Sequence, residues 1–135
     1  MNKSHIALIG LLISLAIILP GCLAAAVGAG AAGGAVYIKG DLEAVEAKNI
    51  DAVYAATKKA VGQLGLIITK DSKSARKAEI VTRDDEDRKT TIKLKATSDE
   101  ATKLLIRVGI FGNEVRSSLI YQKIHDALQK SESQF

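Results

Sequence analysis

Apolar and polar positions divide this chain into three stretches of different pattern. From Ile6 to Leu19 the residues are dominated by Ile, Leu and Ala, after a short polar start, Met1 to His5, that carries Lys3. A basic start followed by a 14-residue apolar run is the n-region and h-region pattern of a secretory signal. From Leu23 to Ala35 the chain is almost only Ala and Gly, with Val27 the sole larger side chain after Leu23. Beyond Val36 the pattern becomes that of ordinary globular sequence.

In this last stretch the periods alternate between two and 3.6. Val36 to Glu46 reads as one extended strand, with Val36, Ile38, Leu42 and Ala44 on one parity and Tyr37, Lys39, Asp41 and Glu43 on the other. Gly40 lies on the apolar parity, where a glycine weakens a strand and marks a bulge or a close backbone approach. Asn49 is placed to cap a helix over Ile50 to Leu64, with Ile50, Val53, Tyr54, Val61 and Leu64 at helical spacing and Gly65 as the stop. Leu66 to Lys70, Ala78 to Arg83, Lys89 to Ala96 and Thr102 to Val108 read as strands. Their inward residues are Ala78, Ile80 and Thr82, then Ile92, Leu94 and Ala96, then Leu104, Ile106 and Val108. Asp84 to Arg88 is a charged turn, and Asn113 is the cap of a final helix with Val115, Leu119, Ile120, Ile124, Ala127 and Leu128 on one face. Gln129 to Phe135 is polar and expected to fray.

The order β-α-β-β-β-β-α, with short connections between most strands, predicts an α+β two-layer domain: a mostly antiparallel sheet with two helices on one face. The boundaries follow the shifts in composition. Residues 1–21 form a leader, 22–35 a tether and 36–130 a single domain, which is what so short a chain can support.

The one cysteine sits at the end of the leader. With no second cysteine, no intramolecular disulfide and no cysteine-based metal site can form. Leu19-Pro20-Gly21-Cys22 resembles the lipobox of bacterial lipoproteins, with an aliphatic residue at minus three, a small one at minus one, and Pro20 as a less usual occupant of minus two. The resemblance implies recognition of Leu19, Pro20 and Gly21 by the lipoprotein signal peptidase, cleavage before Cys22, and attachment of a diacylglyceryl group, with acyl chains such as palmitate, to its thiol. Burial contributes about 0.8 kcal/mol per CH₂, so two or three chains moor a domain that needs no spanning helix. The competing reading is an uncleaved span from Ile6 to Ala26, which would place Pro20 and Gly21 inside it. Leu23 and Ala24 lack the aspartate that retains many lipoproteins at the inner membrane, so the outer membrane, facing the periplasm, is the expected destination.

Charge adds little to this picture. Nineteen Lys and Arg stand against 15 Asp and Glu, and losing the leader removes only Lys3. Bases and acids are interspersed and tryptophan is absent, which argues against nucleic acid as a partner. In the tether, glycines make helix costly in water and favour a flexible link. Gly30 and Gly34 also stand at GxxxG spacing, which would suit an oligomer formed through this segment.

The lipobox, Tyr37-Ile38-Lys39-Gly40-Asp41-Leu42, Leu64-Gly65-Leu66 and Ile106-Arg107-Val108-Gly109-Ile110-Phe111-Gly112-Asn113-Glu114 together resemble a small family of bacterial lipoproteins of unknown function. The resemblance runs from about Cys22 to Leu128. It implies architecture and location and assigns no catalytic residue.

Candidate chemistry is sparse. His125 is the one histidine after the leader, and Ser117 and Ser118 belong to no nucleophile elbow. Asp84-Asp85-Glu86-Asp87 lacks EF-hand spacing and reads as a solvated turn balanced by Arg83, Arg88 and Lys89. Gly109 and Gly112 resemble a phosphate loop only loosely, lacking its lysine. Arg107 and Asn113 are the candidate anion-binding residues, although for Arg107 the favoured reading is a structural pair with Asp41 or Glu43 on another strand. Lys93, Lys95, Lys103 and Arg107 share a parity and predict a basic sheet face suited to anionic lipid or an acidic partner. The expectation is a non-enzymatic envelope lipoprotein with a structural or interaction role and no cofactor or metal. It would be held to the membrane by covalent lipid, with an envelope protein or anionic lipid as partner. A ligand-binding module for an anionic envelope component is the alternative.

Overall fold

The alternating strands assemble into one six-stranded antiparallel sheet with two helices, the α+β fold that the pattern predicts. The computed structural model describes residues 34–134. The leader, the lipobox with Cys22, and the Gly/Ala-rich stretch through Gly33, with Gly30, lie outside the described residues. The elements are β1 (Ala35–Ile38), β2 (Asp41–Glu46), α1 (Ile50–Gln63), β3 (Ile67–Lys73), β4 (Lys77–Arg83), β5 (Lys89–Ser98), β6 (Ala101–Val108) and α2 (Glu114–Glu132). Across the sheet they stand in the order β1-β2-β6-β5-β4-β3. Among the described residues no helix is long and apolar enough to cross a membrane.

Both helices start where a side chain supplies an acceptor for an otherwise unpaired amide. Asn49 accepts from the Ala52 amide at 2.9 Å and Asn113 from that of Arg116 at 3.0 Å. One stripe of each helix packs on the sheet. Val53, Ala60 and Val61 of α1 and Ile120, Ile124 and Leu128 of α2 meet Leu42, Ile80, Ile92, Leu94, Leu104 and Ile106. Burying each large aliphatic side chain contributes about 1.5–3 kcal/mol, so this layer carries the fold. At the outer edge of the sheet, Asp71 on β3 accepts from the Tyr54 hydroxyl and from Lys58, which fastens that strand to α1.

Four expectations are corrected. The single strand over Val36 to Glu46 is a hairpin: Ile38 pairs with Asp41, and Lys39 and Gly40 both take positive φ, 52° and 90°. Two left-handed residues make the tight turn whose twist matches paired strands. The reversal also exchanges faces, so Tyr37 joins Leu42 on the core side while Val36 and Ile38 stand exposed on the other. On α2, Val115 and Leu119 are exposed rather than packed, because Val115 lies half a turn from Ile124 and the buried stripe runs through Ser117 and Tyr121 instead. Finally, α2 continues to Glu132, where Lys48 pairs with that residue, so the helix extends through residues expected to fray. Strand β3 is likewise longer than expected, and its register shifts between Ile68 and Lys70.

Candidate functional site

With both helices on one side, the opposite face of the sheet is open, and residues at odd positions of β4, β5 and β6 point to it. Here Lys77 pairs directly with Lys95 and Lys95 with Lys103, so three ammonium groups stand side by side across three strands. Like charges placed opposite one another across a strand pair are destabilising. Lys103 has a carboxylate at ion-pair distance, Glu43 at 2.7 Å; among the described residues Lys77, Lys93 and Lys95 have none that close. One strand register along, Glu79 faces Lys93, which faces Leu105, and Lys70 holds Glu79 at 2.7 Å. The hydrogen bond from Lys70 keeps the Glu79 carboxyl below the usual range, although its partial burial opposes this. A shallow concavity of about 500 Å³ lies here, with Leu105, Lys77, Lys93 and Lys95 among its lining residues.

The residues singled out as candidate anion binders sit at one end of this face. Arg107 donates to Asp41 through Nε at 2.7 Å and Nη2 at 2.9 Å. It also donates to the backbone carbonyls of Lys39 and Ile110, each at 3.1 Å. Of its two possible carboxylate partners it meets Asp41, while Glu43 serves Lys103. The hydrogen bond to Asp41 raises the guanidinium pKa beyond its ordinary value against the opposing effect of burial. Arg107 thus ties the β1–β2 turn, β6 and the loop before α2 into one unit, with its fork turned inward. The Asn113 side chain is occupied as the cap of α2. Glycines permit the close approach that this unit needs. A β-carbon on Gly40 would lie 2.6 Å from the Phe111 carbonyl oxygen, and one on Gly112 would overlap Gly40 and the Tyr37 hydroxyl.

The acidic run Asp84 to Asp87 folds as the expected charged turn. The Asp84 carboxylate accepts from the Glu86 and Arg88 amides, at 3.0 and 2.9 Å, and also from the Arg88 and Arg116 side chains. Its pKa is lowered: burial pushes it up, and the Arg88 hydrogen bonds together with the Arg88 and Arg116 charges outweigh that.

A second polar cluster lies under α2. Glu46, at the end of β2, is only 5% exposed and faces the helices, where its carboxylate meets His125 Nδ1 at 3.0 Å. Burial, then the Glu46 charge and a hydrogen bond to Glu46, push the Tyr121 hydroxyl pKa well above its ordinary value. Three ionisable groups therefore join the sheet to α2 from within.

Against this geometry stands one match to known proteins. Residues 5–127 match a family described as protein of unknown function, DUF3568. The chain belongs to the DUF3568 family. The DUF3568 match takes in the apolar N-terminal stretch and Cys22 as well as nearly all of the domain. No curated protein matches the chain.

For this DUF3568 domain, Lys93, Lys95, Lys103 and Arg107 were legible as one face from parity alone, and the structure brings them together. Two features were missed. Lys77 completes the lysine row, and its position opposite Lys95 needs the β4–β5 register, which sequence does not supply. Glu46 follows Leu42 and Ala44 on the inward parity, so a carboxylate aimed at the core was the available signal for its pairing with His125.

Proposed function

We propose that this protein is a lipid-anchored component of the bacterial cell envelope whose domain works by contact rather than catalysis, receiving an anionic envelope component on its open sheet face. The lipobox-like Leu19-Pro20-Gly21-Cys22 supports the anchor, with residues 1–21 removed and Cys22 acylated, and the absence of aspartate after Cys22 supports the outer membrane, facing the periplasm. The observation that carries the binding reading is the row Lys77, Lys95 and Lys103. Folding alone has no use for three adjacent ammonium groups, whose repulsion costs stability. A negatively charged partner offsets that repulsion and gains a complementary surface.

The test is capture from membrane extracts by the full acylated chain, with Cys22→Ala as the mislocalised control and Lys95→Glu as the site variant. The expected result is a bound component lost in Lys95→Glu and released by raised salt, since exposed charges are screened. Capture indifferent to Lys95→Glu and to salt overturns the binding reading. Mass spectrometry showing residue 22 unmodified with the leader retained overturns the anchor.

A further inference from the structure

At the Arg107 end of the sheet the loop between β6 and α2 projects two large apolar side chains into solvent: Ile110 is 84% exposed and Phe111 90%. Val115, on the first turn of α2, is 80% exposed, and Ile38 beside the β1–β2 turn is 48% exposed. Such exposure is usual for a mobile loop and unusual for a braced one, and this loop is braced. The Gly109 amide donates to the Lys89 carbonyl at 2.7 Å, Arg107 holds the Ile110 carbonyl at 3.1 Å, and Gly112 packs on Gly40. The apolar pair is therefore displayed at a fixed place.

We infer that Ile110 and Phe111 form a shallow membrane-contact tip that enters the interfacial region of a phospholipid bilayer. Size favours lipid over a protein partner. Four side chains offer a patch of a few hundred Å², well below the roughly 800 Å² that each partner buries in a standard protein interface. An interfacial anchor needs only a few apolar side chains seated at the headgroup boundary. Charge agrees. Lys39 in the adjoining turn and Lys89 beneath the loop have no carboxylate at ion-pair distance among the described residues. Arg83 and Arg107 line the same recess as Ile110 and Phe111. Both arginines are neutralised, Arg83 by Asp87 and Arg107 by Asp41, so the positive charge beside the apolar tip is that of Lys39 and Lys89, which suits anionic headgroups.

The inference rests on the lipid-anchor reading only for bringing a bilayer close. Cys22 stands 13 residues before Ala35, a separation that spans at most about 45 Å when extended, ample for the tip to reach the surface at which the chain is moored. With the tip in the interface, the strands rise from the membrane. Lys103 lies four residues along β6 from Arg107, about 14 Å farther out, so the lysine row faces the aqueous side and remains open to a partner.

The chain contains no tryptophan, so a single introduced one reports its own surroundings. Full-length Phe111→Trp, Val115→Trp and, as a control at the opposite end, Asp99→Trp are reconstituted in phosphatidylethanolamine and phosphatidylglycerol vesicles with or without brominated acyl chains. The expected result is blue-shifted emission and several-fold stronger bromine quenching for Phe111→Trp than for Asp99→Trp, with Val115→Trp between them. Emission and quenching equal to those of Asp99→Trp overturn the inference. So does a blue shift without bromine quenching, which would place the tip against a second copy of the chain. Mass spectrometry of the same samples reads acylation of Cys22 separately: quenching with an unmodified cysteine refutes the mooring and leaves the tip, while acylation without quenching refutes the tip alone.

Discussion

Three glycine-to-alanine variants separate backbone conformation from backbone contact at the Arg107 end of the domain. Gly62 lies in α1 with nothing within 4 Å of an added β-carbon. Alanine there removes the entropic penalty of glycine in a helix, and the full chain should gain about 0.5–1 kcal/mol. Gly109 also has open space around it, but its φ is +72°. Forcing alanine into that region costs about 1–2 kcal/mol, so Gly109→Ala should be destabilising by that amount and no more. Gly112 combines a φ of +86° with backbone directly in the way, since its β-carbon would overlap Gly40 and the Tyr37 hydroxyl. Displacing packed atoms adds about 1–3 kcal/mol, for a total near 3 kcal/mol, enough to lower the melting temperature of a domain this size by roughly 12–24 °C. Urea denaturation midpoints at a common slope give the three values. If Gly112→Ala is no more costly than Gly109→Ala, the β1–β2 turn does not rest on this loop, and the bracing described for Ile110 and Phe111 fails with it.

Other expectations follow from single groups. The Thr82 hydroxyl is buried without a hydrogen-bond partner among the described residues; Thr82→Val removes its desolvation penalty and should stabilise by about 1 kcal/mol, and a lower urea midpoint would show that the hydroxyl is in use. Because the Tyr121 pKa is raised in the folded state, its contribution is complete below the unfolded value of about 10 and is lost as pH rises beyond it; Tyr121→Phe should flatten the alkaline loss of stability, and an unchanged profile would refute the assignment. The Asp71 carboxyl is lowered by hydrogen bonds from Lys58 and Tyr54, so its contribution is present above about pH 4 and disappears as pH falls through the folded value; Asp71→Asn should blunt acid unfolding, read by circular dichroism. For the Glu46 and His125 pair, a double-mutant cycle with Glu46→Gln and His125→Ala should show coupling of about 0.5–3 kcal/mol, and additivity within error would remove the pair as a tie between sheet and helix.

Those parts of the fold that depend on local signals were legible in the sequence. Asn49 and Asn113 announce both helices because capping is read from a residue and its next three neighbours. The inward faces of β5 and β6 follow from strict alternation, and that of β4 does so except at Val81, which is buried as well. The β1–β2 hairpin was not legible, because Lys39-Gly40 lacks the Asn-Gly or Asp-Gly signature and a two-residue reversal leaves the apolar parity unbroken in the sequence while exchanging the faces in space. Val115 and Leu119 misled for a related reason. They complete an apolar list for α2, but the sheet selects only the stripe through Ile120 and Ile124. The basic face was half legible: parity grouped Lys93, Lys95 and Lys103, whereas the neighbour that completes the row, Lys77, is fixed by register across β4 and β5. Glu46 is hard to read because a carboxylate on the inward parity looks like the end of an apolar alternation, and its partner His125 lies 79 residues away.

The outer strand β3 governs how molecules of this kind behave at high concentration. A sheet that ends in a flat apolar ribbon invites the next copy to add itself, and growth then continues without limit. Here the shift between Ile68 and Lys70 breaks the spacing of the outward amides and carbonyls, and Lys70, Asp71 and Lys73 follow in quick succession. An incoming strand would have to match that interruption while desolvating three charges, so Ile67 and Ile68 can remain exposed without seeding fibrils.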